Sequence, residues 1–295
     1  MAGIGLAVAS AAALALGNLL QGRGVREIEE GATRGASGSK AGNLVRNHVW
    51  LLGATLLVVA ILLQMGSLAF APLMVVQPIG VSALVFTVLL TAIIAKRRPT
   101  AAVLRAIGIC VLGVAAFVTV AALVSTQSAI TSGQLIAVLA ALTAVLIVTG
   151  VMLWAARTHP VPPVAWVLLG GVYSAFVATL GKTVILRIQS FLRLQKFTFD
   201  LANLLTFVCI IGIGVAGVLS IYFVQRAHAT NRPEVVIAGL TVVDPAIAVV
   251  LGITILGEAS KAPAWAIFAF IVAGAVAISG VFALSKAESA DTEIV

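Results

Sequence analysis

Charge is scarce in this sequence. Lys, Arg, Asp and Glu make up 9% of its 295 residues, against roughly a quarter in soluble domains. A water-facing surface needs charge on every exposed helix face, but here the charges gather into short clusters between long apolar runs, which excludes ordinary soluble domains. The net charge of +8 does not point to nucleic acid, because the basic residues sit at the ends of apolar runs. Anionic headgroups and the positive-inside rule account for them there. Cysteine is nearly absent: Cys110 and Cys209 lie deep in apolar runs with no second Cys or His at ligand spacing, so they read as small core hydrophobes and not as a disulfide or metal site. Also missing are G-x-x-x-x-G-K-[ST], G-x-G-x-x-G and H-E-x-x-H, together with any grouping of acid, base and nucleophile. An enzyme, a cofactor and a metal are therefore not expected. The first apolar stretch follows Met1 without the basic n-region of a signal peptide and is expected to stay as a spanning helix.

What is present is apolar length. Hydrophobic residues form 61% of the chain, in continuous and not alternating runs, which excludes a β-barrel and predicts an all-α integral membrane protein. On the ruler of about 20 apolar residues per crossing, nine spans are expected, at 2–22, 49–69, 71–95, 101–124, 132–155, 163–186, 201–224, 234–257 and 263–285. A Gly/Ser/Ala run at 31–42, the stop Lys96, Arg97 and Arg98, and the prolines Pro160, Pro162 and Pro163 punctuate them, and the polar stretch 23–48 is the one sizeable loop expected. Along a nine-span chain, Arg23, Arg26, Arg34, Lys40, Arg46, Lys96, Arg97, Arg98, Arg105, Arg157, Arg226, Arg232 and Lys286 fall on one side. Only Arg187, Arg193, Lys196 and Lys261 fall on the other. The first side is predicted cytoplasmic, with the N-terminus outside and the tail 286–295 inside. Trp50, Trp154, Trp166 and Trp265 fall near span ends, where they are expected to anchor at the headgroups.

Two tetrapeptides suggest an internal repeat. Val75-Val76-Gln77-Pro78 lies in the third span and Val242-Val243-Asp244-Pro245 in the eighth, at opposite predicted orientation. An inverted repeat would set Pro78 and Pro245 across a pseudo-two-fold axis; the alternative is that each proline merely kinks its helix. The division expected is a first repeat over 1–124 with four spans, a second over 125–285 with five, and a cytoplasmic tail over 286–295. At these residues the chain resembles the drug/metabolite transporter superfamily of EamA-like fold. Pro245 followed thirteen residues later by Glu258, behind Gly257, looks like that family's Pro-to-Gly-Glu helix, and Gly274 fits the glycine of the next one. The first half is closer to the NIPA-like branch, in Gly3-Ile4-Gly5-Leu6-Ala7, Trp50, Ala69-Phe70-Ala71-Pro72 and Pro78-Ile79-Gly80, with Lys182 and Gln225 also having counterparts there. The first half departs from the pattern in placing Thr91 thirteen residues after Pro78, where the second half has its acid.

Ionisable groups within spans are costly and carry functional hypotheses. Asp244 sits about ten residues into its span, hence roughly 15 Å deep, and is a candidate for proton coupling or for a structural hydrogen-bonded acid. Lys182 comes late in its span, where its stem can snorkel to the interface, or can point inward to bind an anionic cargo or pair with Asp244. Gln77, opposite Asp244 in the repeat, and Tyr173, on the same span as Lys182, are the uncharged candidates, while Asn18, Gln64, Ser82, Ser174, Thr183, Tyr222, Gln225 and Thr241 offer further hydrogen bonds, most of them expected between helices. Small-residue spacings such as Gly212-xxx-Ala216 and Ala273-xxx-Ala277 are expected to pack helices. The segment 184–199, apolar with Arg187, Arg193 and Lys196 interspersed, is expected to form an interfacial helix on the outer leaflet. The resemblance implies a secondary transporter working by alternating access on a small metabolite, a drug-like compound or a lipid-linked, anionic substrate, the last being flippase activity. The partners expected are that substrate and membrane lipids, with oligomeric state open. The alternatives are a NIPA-like magnesium permease and a membrane scaffold that transports nothing.

Overall fold

The computed structural model of the chain describes residues 2–33, 46–94, 96, 99–127, 130–158, 161–194 and 201–293. Among them there is no strand. Ten helices run in order as α1 (Ala2–Thr33), α2 (His48–Phe70), α3 (Leu73–Gly80), α4 (Ser82–Ile94), α5 (Ala101–Val124), α6 (Ser132–Ala155), α7 (Pro163–Leu194), α8 (Leu201–Thr230), α9 (Pro233–Thr254) and α10 (Ala264–Glu293). With α3 and α4 taken together as one crossing, these supply nine candidate spans among the described residues. Leu52, Leu112, Val148, Phe207 and Phe268 are more than half exposed, which suits side chains whose solvent is hydrocarbon.

Several ends differ from expectation. α1 continues to Thr33, past the predicted stop at residue 22, because Arg23, Arg26 and Glu27 end an apolar run without breaking a helix. Glu27 accepts from the Asn47 side chain at 3.0 Å, and Asn47 in turn caps α2 by accepting from the Trp50 amide. The expected interfacial helix at 184–199 is, through Leu194, the unbroken end of α7; nothing in its sequence breaks the helix there, and 195–199 lie outside the described residues. The tail expected from 286 is helical through Glu293. The loop residues 34–45, the stop residues Arg97 and Arg98, and Pro160 lie outside the described residues. Trp154 and Trp265 are well exposed, as anchors should be, but Trp166 is 9% exposed, stacked on Phe223 with the Arg226 guanidinium over its ring. Its ring fills a helix interface, since its face points along α7 toward α8.

Helices approach where side chains are smallest. α5 and α10 cross at Gly113 and Gly280: a Cβ on Gly113 would lie 2.3 Å from the Ala277 nitrogen, and one on Gly280 would lie 2.4 Å from the Cys110 nitrogen. Neither backbone can retreat without parting the pair. Gly113→Val is therefore expected to cost at least the upper end of the roughly 1–3 kcal/mol typical of overpacking, read as a lowered melting temperature of the purified protein. Gly108→Val, on the same helix with nothing in reach of its Cβ, should melt like the parent. Gly171 does the same work between α7 and α9, where a Cβ would lie 2.7 Å from Val243. That approach brings Ser174, one turn on, against Asp244.

Candidate functional site

The α2–α3 corner is the chemically unusual part of the fold. Pro72 occupies the N-cap of α3 without a side-chain cap, so the first amides of α3 need acceptors from elsewhere. Glu258 supplies both: Oε1 accepts from the Leu73 amide at 2.6 Å and Oε2 from the Met74 amide at 2.8 Å. The carboxylate arrives from 185 residues away because Gly257 adopts φ +68°, a left-handed conformation that costs glycine little. On the other side of the same corner, Lys182 of α7 donates to the Leu68 carbonyl at 2.7 Å and to the Ala71 carbonyl, with the Gln127 side chain at 3.4 Å. An acid thus sits on the positive start of one helix and a base on the negative end of the previous one, each where the backbone dipoles favour it. Both side chains are buried, Lys182 at 0% and Glu258 at 3% exposure. The Glu258 amide and carbonyl also join in, bonding Gly252 and Thr126, while Gln189 reaches the Ala69 carbonyl and Gln134 that of Leu256. The ends of α2, α3, α5, α6, α7 and α9 are tied together at this level.

Glu258 lies between spans and is buried. Burial pushes its carboxyl above the ordinary carboxylate range, and the Met74 and Leu73 amides and the Lys182 ammonium pull in the opposite direction. A carboxyl raised on folding holds its proton more tightly in the folded chain, so its stabilisation is complete below the ordinary carboxylate value and is lost as pH rises through the raised one. The melting temperature should therefore decline from about pH 4 upward. Glu258→Gln, neutral at every pH, should flatten that decline; an unchanged slope would remove Glu258 from the account.

Beneath the corner lies a cavity of about 510 Å³. Its walls come from α1, α2, α3, α4, α7 and α9, and Leu68 and Gly181 join it to the corner above. The polar groups facing it include Asn18, Gln64, Gln77, Thr87, Ser174 and Asp244; of the lining residues only Asp244 is ionisable. Asp244 Oδ2 accepts from the Ser174 hydroxyl at 2.6 Å. Its other oxygen, Oδ1, is buried with no hydrogen-bond partner, and a buried unpaired acceptor calls for a donor. Among the described residues no group of three or more His, Cys, Asp and Glu stands together.

The six residues singled out from sequence divide between these places. Asp244, Gln77 and Pro245 line the cavity. Lys182 does not: it neither snorkels nor meets Asp244, since its ammonium is consumed by the corner carbonyls. Tyr173 faces away, donating to Thr149 of α6 at 2.9 Å and stacking on Phe223. Pro78 lines a second, apolar cavity of about 220 Å³ between α3, α5, α9 and α10, whose wall also includes Pro245. In the sequence Glu258 stands out only as part of the Gly-Glu motif; the signal of its role is that an acid so close to two apolar runs needs partners. The fold and this site define an all-α, multi-pass membrane protein. No family model, curated protein or solved structure matches the chain.

Proposed function

We propose that the chain is a carrier of the drug/metabolite transporter type, moving a small metabolite or drug-like compound across the cytoplasmic membrane by alternating access. The observation that carries this reading is a cavity whose wall holds one carboxylate, half-buried and with one oxygen unpaired, and which is roofed at one end by the Lys182–Glu258 corner. A binding chamber latched on one side is what alternating access requires of each of its end states. The helix pairing supports the inverted repeat behind it: α1 packs on α2 and α4 as α7 packs on α8 and α9, while α5 packs on α10 and α3 on α9 across the two sets. With α6 set aside, each helix of the first set has a counterpart that runs the other way in a nine-span chain.

By the charge count, the latched end faces outside and the cavity faces the cytoplasm. In a background without Cys110 and Cys209, Ser260→Cys should then react with a membrane-impermeant maleimide added to intact cells, and Arg157→Cys only after permeabilisation. The reverse pattern would invert the orientation.

The lining also selects among cargoes. A carboxylate with amides and hydroxyls, and no Lys, Arg or His among the lining residues, favours a cation or a neutral donor over the anionic cargo expected from Lys182. One carboxylate is also too few for a bare divalent ion, which takes six or more oxygens. Proteoliposome flux separates the readings: saturable movement of an organic ammonium supports the carrier, magnesium uptake the permease, and no movement of either a scaffold.

A further inference from the structure

We infer that the substrate is an amphiphile, an alkylammonium whose head lies on Asp244 and whose hydrocarbon tail enters the apolar cavity behind Pro245. This rests on the reading of the Asp244 cavity as the substrate site. The two cavities are not independent features. Val81, Thr241 and Pro245 line both, so the cavities adjoin at this edge of α9, and the proposed ligand spans them there.

The head is specified on the polar side. Asp244 Oδ1 is a buried acceptor without a donor, and its partner oxygen is already held by Ser174, which fixes the carboxylate so that the free oxygen is always the same one. Pro245 adds a second acceptor. A proline ring carries no N–H, so the carbonyl four residues earlier, that of Thr241, loses the helix donor it would otherwise have, and Thr241 stands at the junction of the cavities. Its hydroxyl is already committed to the Ile237 carbonyl at 2.7 Å. A fixed carboxylate oxygen and a freed carbonyl suit a group with two or more N–H donors and a positive charge, which is a primary or secondary ammonium. An alcohol offers one donor and no charge, and a quaternary ammonium offers none.

The tail is specified on the other side. The second cavity is walled by Pro78, Val114, Phe117, Val249, Ala277 and Ile278 among others. Thr241 is its hydrogen-bonding side chain and its O–H is already donated to the Ile237 carbonyl, so beyond the junction this wall offers a polar ligand atom nothing. Gly274 is on its wall, and a Cβ at that position would meet only Phe117, at 3.9 Å. A side chain added at Gly274 would therefore enter open space.

The test is equilibrium binding of n-alkylammonium ions, from ethyl to decyl, to the purified full chain in lipid nanodiscs. Affinity is expressed against free aqueous ligand, and binding to empty nanodiscs is subtracted. Affinity should rise about fourfold per methylene, the factor that burial of one CH₂ carries, until the cavity is full. Gly274→Leu should cut the octyl-to-ethyl affinity ratio at least tenfold, and Ala246→Phe, on the same wall, serves if that variant does not fold. Asp244→Asn should weaken every ammonium at least tenfold and leave n-alkanols of equal length unaffected. A ratio that survives both wall variants overturns the tail site, whether the chain length is then read by lipid or by nothing, while the Asp244 cavity stands if Asp244→Asn still loses ethylammonium. Ammonium binding indifferent to Asp244→Asn overturns the cavity reading itself.

Discussion

Lys182→Met should weaken the latched end, with a loss of stability of about 1–3 kcal/mol for each buried carbonyl left without its donor. Met keeps most of the side-chain volume, so the effect is electrostatic and not a cavity. Two carbonyls that the ammonium satisfies, Leu68 and Ala71, are left without it in a fully buried position, and the Glu258 carboxylate loses the cation that offsets it. Adding Glu258→Gln restores neutrality on both sides of the corner. The double variant should therefore lose less than the sum of the two single losses, by at least about 1 kcal/mol, as coupled neighbours do. Strict additivity in a thermal or denaturant melt would mean that the two residues stabilise separate helix ends and do not act as one latch. Under the carrier reading, the single variants should also make the outer end of α3 accessible to labelling, because α3 has no cap of its own.

Asp244→Asn should abolish flux while leaving the protein folded. The amide oxygen can still accept from Ser174, so the α7–α9 contact survives. Where Oδ1 had been an acceptor, the variant carries an NH₂ donor. A donor presented to an ammonium repels it, and the charge that offset its desolvation is gone. Transport driven by a pH gradient should fall at least a hundredfold, while Asp244→Glu, which restores the charge one methylene further out, should recover part of it. Ser174→Ala should cost less than Asp244→Asn, since it removes an orienting hydroxyl and leaves the carboxylate in place.

Much of the architecture was legible because it depends on local composition. Nine apolar runs predict nine crossings, and their register in the chain survives folding. The repeated tetrapeptide pointed to Gln77 and Pro245 together, and both line the cavity. What the sequence concealed lies at long range. Glu258 meets Leu73 across 185 residues and Ser174 meets Asp244 across 70, and no periodicity within either segment announces its partner. Lys182 looked able to snorkel because its stem is long, but the Ala71-Pro72 break supplies bare carbonyls nearer than the membrane surface. Trp166 was misplaced for a related reason: nearness to a span end says nothing about which face of the helix carries the ring.

The most direct measurement is uptake of a radiolabelled primary ammonium ion by the purified chain in proteoliposomes under a fixed pH gradient. The account predicts saturable uptake by the parent protein, competition between ammonium substrates, and no uptake above empty liposomes for Asp244→Asn reconstituted at equal density. Equal uptake by the parent and Asp244→Asn would contradict it, as would a parent protein that moves no ammonium ion and yet takes up magnesium.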